Sequence, residues 1–339
     1  MVANNMTSLI VHEIMRVTGL SSSIADYIGF NGRYRPAMLI CETVNICNNN
    51  CIVCAYSYMK RTKTTMSCDL FDKVLKSYSE MGGGCLSLTP VVGDVLLDKY
   101  LIDRIKIARK YENITSISFT TNAIMAGDLP VSSIKYITNN VNKIMISIYG
   151  IDQEEYKLMT RTDNYHKMVD GVNRILSSVE DCSKIELGFR LLKNRSDHDF
   201  DNWIINNLKS KNIKHHKVTK YANWNILDTS TKLPFDAEWL DNKFVIDHCL
   251  IPVIALQVFS NGDISYCPCD DYDRVPEFHL GNIVNMSLLD MCNSEKYHKL
   301  IDLNSAVPRY CRKCTFHMPM SSINEHKHAL NDPVSFIGG

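Results

Sequence analysis

The sequence predicts an α/β protein: six strand–helix units laid on a parallel sheet, followed by a small cysteine-bearing C-terminal domain. Three observations predict it. Short apolar segments alternate with helical stretches through the first two thirds of the chain, the pattern of a parallel sheet with right-handed crossovers. Cysteines gather in two sets, Cys47 to Cys54 and Cys249 to Cys314. Around residues 222–247 the alternation stops and polar, aromatic sequence takes over, which places a domain boundary near 235.

Residues 1–35 read as a helical cap, because MVANNMTSLIVHEIMRVTGL carries Glu13 and Arg16 inside an apolar run. That pattern is amphipathic and lacks the basic start of a signal peptide. Strands are expected near 37–42, 84–89, 114–120, 143–148, 185–192 and 213–219. The helices between them are expected near 67–81, 97–111, 152–178 and 197–210, where apolar residues recur at helical spacing, as in DLFDKVLKSYSEM. The barrel region is therefore 36–235 and the C-terminal domain 236–339.

Lysines plus arginines number 37 and aspartates plus glutamates 37, so the formal net charge is zero. No basic footprint points to a nucleic-acid partner or an anionic membrane surface. No run of 18 apolar residues predicts a membrane span. Thirteen cysteines in a chain without an export signal point to the cytoplasm, where metal ligands and free thiols outnumber disulfides.

The stretch CETVNICNNNCIVCAYSYM places Cys47, Cys51 and Cys54 in a C-x3-C-x2-C spacing. Closed iron–sulfur and structural zinc sites take four protein ligands. Three thiolates leave one metal corner open to a cosubstrate. On the residues alone, a zinc knuckle or packed thiols stay open as alternatives. In the C-terminal region, Cys249, Gly262 and Cys267 fit C-x12-G-x4-C, and CRKC carries Cys311 and Cys314. LQVFSNGDISYC reads as a β-hairpin with an Asn-Gly turn, which brings two cysteines together. A four-cysteine zinc site is the alternative there. Cys269, in CPCDD, is left over; it is either a packed thiol or a hydrogen-atom donor. Cys41, Cys68, Cys85, Cys182 and Cys292 have no spacing partner and read as packing residues.

The three-cysteine spacing closely resembles the radical S-adenosylmethionine (SAM) superfamily. The resemblance implies a partial (β/α)6 barrel with chemistry at the C-terminal strand ends. It implies that Cys47, Cys51 and Cys54 hold a [4Fe-4S] cluster whose open iron is chelated by SAM. Val53 stands where the family often has an aromatic residue, with Tyr56 and Tyr58 just beyond. TPVVGDVLLD resembles the family's Gly-Gly-Glu segment through Val92, Gly93 and Asp94, which implies a carboxylate for the SAM ammonium. FTTNA resembles the Thr-Asn-Gly strand end, and so places Asn122 near SAM. ISIYG resembles Ser-Leu-Asp-Gly, which gives Ser147 and the following Arg161 the SAM carboxylate and ribose. Arg190 is expected to meet SAM or substrate. Of His215 and His216, adjacent on one strand, at most one faces inward.

The C-terminal spacing, with LGNIVNMSLLDMCNSEKY before CRKC, resembles a twitch domain, the shortened SPASM module. This implies one auxiliary [4Fe-4S] cluster held by Cys249, Cys267, Cys311 and Cys314. The resemblance implies reductive SAM cleavage to a 5′-deoxyadenosyl radical and hydrogen-atom abstraction from substrate. It implies a reductant such as flavodoxin or ferredoxin. Two substrate classes follow: a polar small molecule such as a sugar or cyclitol alcohol, oxidised by two electrons, or a ribosomal precursor peptide. The first 35 residues are short for a leader-binding winged helix, which favours the small molecule.

Overall fold

Six strands run parallel and stand side by side in chain order. They are β1 (Met38–Cys41), β2 (Gly84–Ser87), β3 (Ile114–Thr121), β4 (Lys143–Tyr149), β5 (Ile185–Arg190) and β6 (Lys214–Val218). The structure is a computed structural model that describes residues 29–30, 33–34, 36–208, 213–240, 248–302 and 305–319. The expected N-terminal helix lies outside the described residues. Gly29–Phe30 and Arg33–Tyr34 pair as two short antiparallel strands.

The crossovers carry α1 (Cys68–Glu80), α2 (Leu101–Ala108), α3 (Val131–Asn140), α4 (Gln153–Thr160), α5 (Tyr165–Ser178) and α6 (Asp197–Asn207). The single helix expected over 152–178 is two. Arg161 closes α4 in the left-handed conformation at φ 56°, and the Thr160 hydroxyl bonds back to the Tyr156 carbonyl at 2.8 Å. A left-handed residue cannot continue a right-handed helix.

Alternation along each strand sorts the two faces. Leu39, Leu86, Ile117, Phe119, Ile146, Leu187 and Phe189 face the helices in the main core. The opposite face carries Ser87, Ser118, Ser147 and Glu186, all buried, together with Arg190 and His216. The inner face is thus mixed: polar on β4 to β6 and apolar where Met38, Ile40 and Ala255 cluster on β1 and the strand beside it, while the outer layer is apolar.

The expected hairpin is present, but it builds no sheet of its own. β7 (Ala255–Val258) pairs parallel with β1, in register Ala255 with Met38. β8 (Asp263–Ser265) and β9 (His279–Asn282) follow antiparallel. One nine-stranded sheet, in the order β9-β8-β7-β1-β2-β3-β4-β5-β6, therefore crosses the position expected for a domain boundary. Gly262 turns the hairpin at φ 86°. Two short helices, α7 (Leu288–Cys292) and α8 (Glu295–Ile301), pack beside it. Among the described residues no helix is long and apolar enough to cross a membrane.

One glycine contact ties a helix to the site. A Cβ on Gly171 of α5 would stand 1.9 Å from the carbonyl oxygen of Ala123, just after β3. Ala123 is itself left-handed at φ 61°. Gly171→Ala is expected to destabilise the protein by about 1–3 kcal/mol, as overpacking does. A thermal melt would show it as a lowered midpoint; an unchanged midpoint would mean that α5 and this turn separate freely.

Candidate active site

The cysteine loop leaves the C-terminal end of β1 and is pinned at its neck. Asn45 donates through Nδ2 to the Thr62 carbonyl at 3.0 Å and accepts from the Thr64 N–H at 2.6 Å. Glu42, fully buried, is gripped by both Arg61 guanidinium nitrogens at 2.6 and 2.8 Å. Arg61 also donates to the Tyr272 carbonyl at 2.9 Å, so the neck is bound to the C-terminal region. The loop's far side docks on the end of α4: the Asn50 and Ile52 N–H groups donate to the Thr160 and Met159 carbonyls at 3.0 and 2.9 Å.

Within this frame the three thiols are close enough to feel one another. Burial pushes Cys47 up to about 12, and the neighbouring Asp94 and Cys54 add to it. Cys51 is driven up by burial and then by the charges of Cys54 and Cys47. Burial also raises Cys54. Such thiols ionise when a metal takes the proton's place. Donors for their sulfurs are in position: Cys47 Sγ accepts from the Asn49 N–H at 3.5 Å, and Cys54 Sγ from the Tyr56 N–H at 3.4 Å. The buried Nδ2 atoms of Asn48 and Asn49 have no acceptor, which fits a group that brings acceptor sulfurs of its own. Among the described residues no three Cys, His, Asp or Glu side chains are grouped to hold a single ion. A single ion requires that; a four-iron cube takes one thiolate per iron.

The expected SAM residues fall into two groups and one outlier. Asp94, Asn122 and Cys47 form the first. Asn122 donates from its backbone N–H to Asp94 Oδ2 at 2.7 Å and from Nδ2 to Asn48 Oδ1 at 2.7 Å, with Cys47 Sγ 3.9 Å away. Gly93 packs under the loop at φ 145°, where a Cβ would come within 3.2 Å of the Val44 and Ile46 carbonyl oxygens. Ser147 and Arg190 form the second group, with Nε donating to Oγ at 3.3 Å. Arg161 stands apart: its backbone caps α4 and the residue is exposed.

Asp94 has protein partners that the sequence did not announce. Its carboxylate is buried and accepts from the Leu96 N–H, the Thr121 hydroxyl and the Asn122 N–H. An Asp is one methylene shorter than a Glu, and here it folds back onto the end of β3. Burial pushes its carboxyl up to about 6 against these hydrogen bonds. The residue braces the β2 loop, β3 and the cysteine loop; the Asp94 N–H donates to the Ile46 carbonyl at 2.8 Å.

His215 and His216 divide as the strand period requires. His215 faces outward, its ring 5.9 Å from Phe189 and 6.1 Å from Phe200. His216 faces inward and bonds Glu186.

The second cysteine set assembles from three segments. Cys249 bridges to Pro319, Cys267 follows β8, and Cys311 and Cys314 lie on one turn, with the Cys314 N–H donating to the Cys311 carbonyl at 3.0 Å. Burial raises Cys267, Cys311 and Cys314, and Cys249 raises each of them further. Cys269 feels Cys267 and Cys249 in the same way. Residues that the sequence left unassigned join the two sets. Trp224 donates through Nε1 to the Val53 carbonyl at 3.0 Å, inside the first cysteine loop. Its neighbour Asn225 donates through Nδ2 to Asp270 at 2.7 Å, beside the second set. Both are left-handed, at φ 55° and 53°. The only sequence signal was that alternation had stopped there.

A parallel partial barrel with a three-thiol loop after its first strand, and a four-thiol set behind it, defines an iron–sulfur enzyme class. The chain belongs to the Radical SAM superfamily, whose profile matches residues 41–214. The SPASM profile, an iron-sulfur cluster-binding domain, matches residues 249–315. SAM, a SAM-binding [4Fe-4S] cluster and an auxiliary iron–sulfur cluster are therefore its cofactors. The chain is similar to a GTP 3′,8-cyclase of Mannheimia succiniciproducens, 23% identical over 170 residues. That match spans 48% of this chain and 48% of the relative, about half its length. Among solved structures, BtrN in complex with AdoMet and 2-DOIA superposes with TM-score 0.52 at 16% identity, over 83% of this chain and 88% of that one. Streptococcus suis SuiB bound to precursor peptide SuiA gives TM-score 0.59 at 12% identity, over 89% and 73%. At these identities the likeness is one of fold.

Proposed function

We propose that this enzyme oxidises a polar small molecule, a sugar or cyclitol alcohol, by two electrons inside the barrel. The observation that carries this reading is a run of polar residues on the inner face: Ser147, Glu186, Arg190 and His216 lie on β4, β5 and β6. A hydroxyl-bearing substrate can bond to such a face, and to the unpaired His216 Nε2 in particular, where an apolar one cannot.

Cys47, Cys51 and Cys54 would hold the SAM-binding cluster, and Cys249, Cys267, Cys311 and Cys314 the auxiliary one. The chemistry those groups supply when bound is reductive cleavage of SAM to a 5′-deoxyadenosyl radical and acceptance of an electron from the substrate. The chain's own residues bind and orient. Gly93 offers backbone beside the loop, Asn122 and Ser147 offer polar groups at adjacent strand ends, and Arg190 offers a guanidinium suited to a carboxylate. Arg161 would have to turn its exposed side chain inward to join them. Holding one C–H against the radical's site is the protein's main contribution to rate. A flavodoxin or ferredoxin would supply the electron.

A second reading, modification of a peptide, is favoured by one feature. β6 is the last strand of the sheet, and Lys214, His215 and Lys217 are exposed, so an extended peptide has an edge to join.

Anaerobic reconstitution tests the proposal. The protein is expected to hold about eight irons, from two four-iron clusters, and to form 5′-deoxyadenosine with dithionite. Stoichiometric zinc beside about four irons would remove the auxiliary cluster from the account. Mass analysis with cyclitols, amino sugars and GTP, against peptides, then separates the readings: a product two hydrogens lighter from an alcohol supports oxidation.

A further inference from the structure

We propose that His216 is the proton-transfer residue of the barrel and that Glu186 positions it. The inference rests on the reading that a polar substrate binds inside the barrel.

His216 is on β6 and Glu186 on β5. The His216 Nδ1 lies 2.9 Å from Glu186 Oε1. The other carboxylate oxygen, Oε2, is taken by Lys143 of β4 at 3.1 Å and Lys214 of β6 at 3.3 Å. Burial alone would raise the Glu186 carboxyl, but Lys143, His216 and Lys214 together hold it below its ordinary value. It is thus an anion, and an anion on one imidazole nitrogen fixes the proton there. The lone pair is then left on Nε2.

That Nε2 is the second observation. It is buried and has no hydrogen-bond partner. It lies over Gly188 of β5, where a Cβ would stand 3.2 Å from Nε2. A glycine inside a strand often marks a close approach of this kind, and here it lets the ring of the neighbouring strand lie across β5. Nδ1 is thus paired and Nε2, a buried polar atom, is left without a partner in a position that faces the barrel interior.

Sheet register gives its place. His216 pairs with Gly188, and Gly188 with Ser147. Two strand spacings, about 10 Å, separate His216 from Ser147. Thr121 pairs with Ile146, so Asn122, beside Cys47, is next in the same row. Arg190 lies one pleat nearer the cysteine loop on the same inner face and touches Ser147. His216 therefore sits in the same row as the residues proposed to border SAM, two strands across the inner face.

The step balances as follows. With SAM and the clusters bound, the radical they supply would take a hydrogen atom from the carbinol carbon, the hydroxyl proton would pass to His216 Nε2, and the remaining electron would leave to an oxidised iron–sulfur cluster as C–O becomes C=O.

The test uses the anaerobically reconstituted chain with SAM, dithionite and three probes: myo-inositol, glucosamine and GTP. For whichever probe is oxidised, His216→Gln is expected to lower kcat by about a hundredfold or more. Glu186→Gln should cost less, and His215→Gln, whose ring packs outward, should leave the rate unchanged. An unaltered kcat in His216→Gln overturns the assignment and leaves the oxidation reading standing. Histidine 15N NMR of the oxidised holoenzyme decides without a substrate. The wild type should show His216 as the Nδ1–H tautomer with a bare Nε2, and Glu186→Gln should lose that preference. Dominant Nε2–H at neutral pH overturns the proposal. If no probe is oxidised, this spectrum alone judges His216, and the oxidation reading fails separately.

Discussion

Alanine at any one of Cys47, Cys51 or Cys54 is expected to abolish 5′-deoxyadenosine formation, by at least about a thousandfold, or 4 kcal/mol in barrier. The reason is ligand count. A closed four-iron cluster keeps three thiolates after one is lost, but this loop has only three to begin with. Each is fixed differently. Cys51 turns the chain through the Cys54 N–H at 3.1 Å. Cys54 caps the short turn Ala55–Tyr58. Cys47 lies against Asn122. Cys41, the nearest other cysteine in the chain, does not replace them, because it is buried under the helices in the main core. Anaerobic chromatography of deoxyadenosine, with iron content and melting midpoint for each variant, makes the measurement. Cys68→Ala, at the start of α1, is the control and should retain activity. A folded triple variant that still cleaved SAM would remove the first cysteine set from the chemistry.

The sequence showed what lies along the chain and missed what crosses it. β1 to β6 were legible because period-2 apolar runs separated by helical spacing have one economical solution. Both cysteine sets were legible because ligand spacing is a one-dimensional signal. The helix α3 was not, since VSSIKYITNN is rich in β-branched residues, Ser and Asn, which are weak helix formers. It forms because Ile134 and Ile137 bury against the core. The bonds of Asp94 to Thr121 and Asn122, a strand away, were not legible, because nothing in the local sequence marks them. The Trp224–Val53 and Asn225–Asp270 contacts span 171 and 45 residues, and no local pattern announces them.

These contacts bear on how the two cysteine sets could work together. The first loop is held to the C-terminal region by Arg61 on Tyr272, by the Lys60 and Arg61 N–H groups on Asp273 at 2.8 and 2.9 Å, and through Trp224, which bonds Val53 and packs its ring on Tyr272 and Phe316. β7 is hydrogen-bonded to β1, the strand that feeds the first loop. A sheet shared in this way fixes the separation of the two sets more firmly than a linker would. Fixed separation is what electron transfer between substrate and a second cluster requires.

Cys311→Ala combined with Cys314→Ala is expected to keep SAM cleavage in folded protein and to lose oxidised product entirely, whereas Cys269→Ala keeps product within about tenfold of wild type, or 1.4 kcal/mol. The contrast follows from where each thiol sits. Cys311 and Cys314 share one turn, and both feel Cys267 and Cys249; removing them takes half of a four-ligand set. Cys269 senses the same two cysteines but stands outside the spacing. An oxidation must export an electron from the substrate radical and so depends on the four-cysteine set. An epimerisation must return a hydrogen atom and so depends on a donor such as the Cys269 thiol. Product mass in deuterated water separates them. Oxidation lowers the mass by two hydrogens. Epimerisation keeps the formula and leaves one solvent deuteron on carbon, delivered through the exchangeable thiol. A deuterated, mass-conserved product that disappears in Cys269→Ala would overturn the oxidation reading and make Cys269 the catalytic donor.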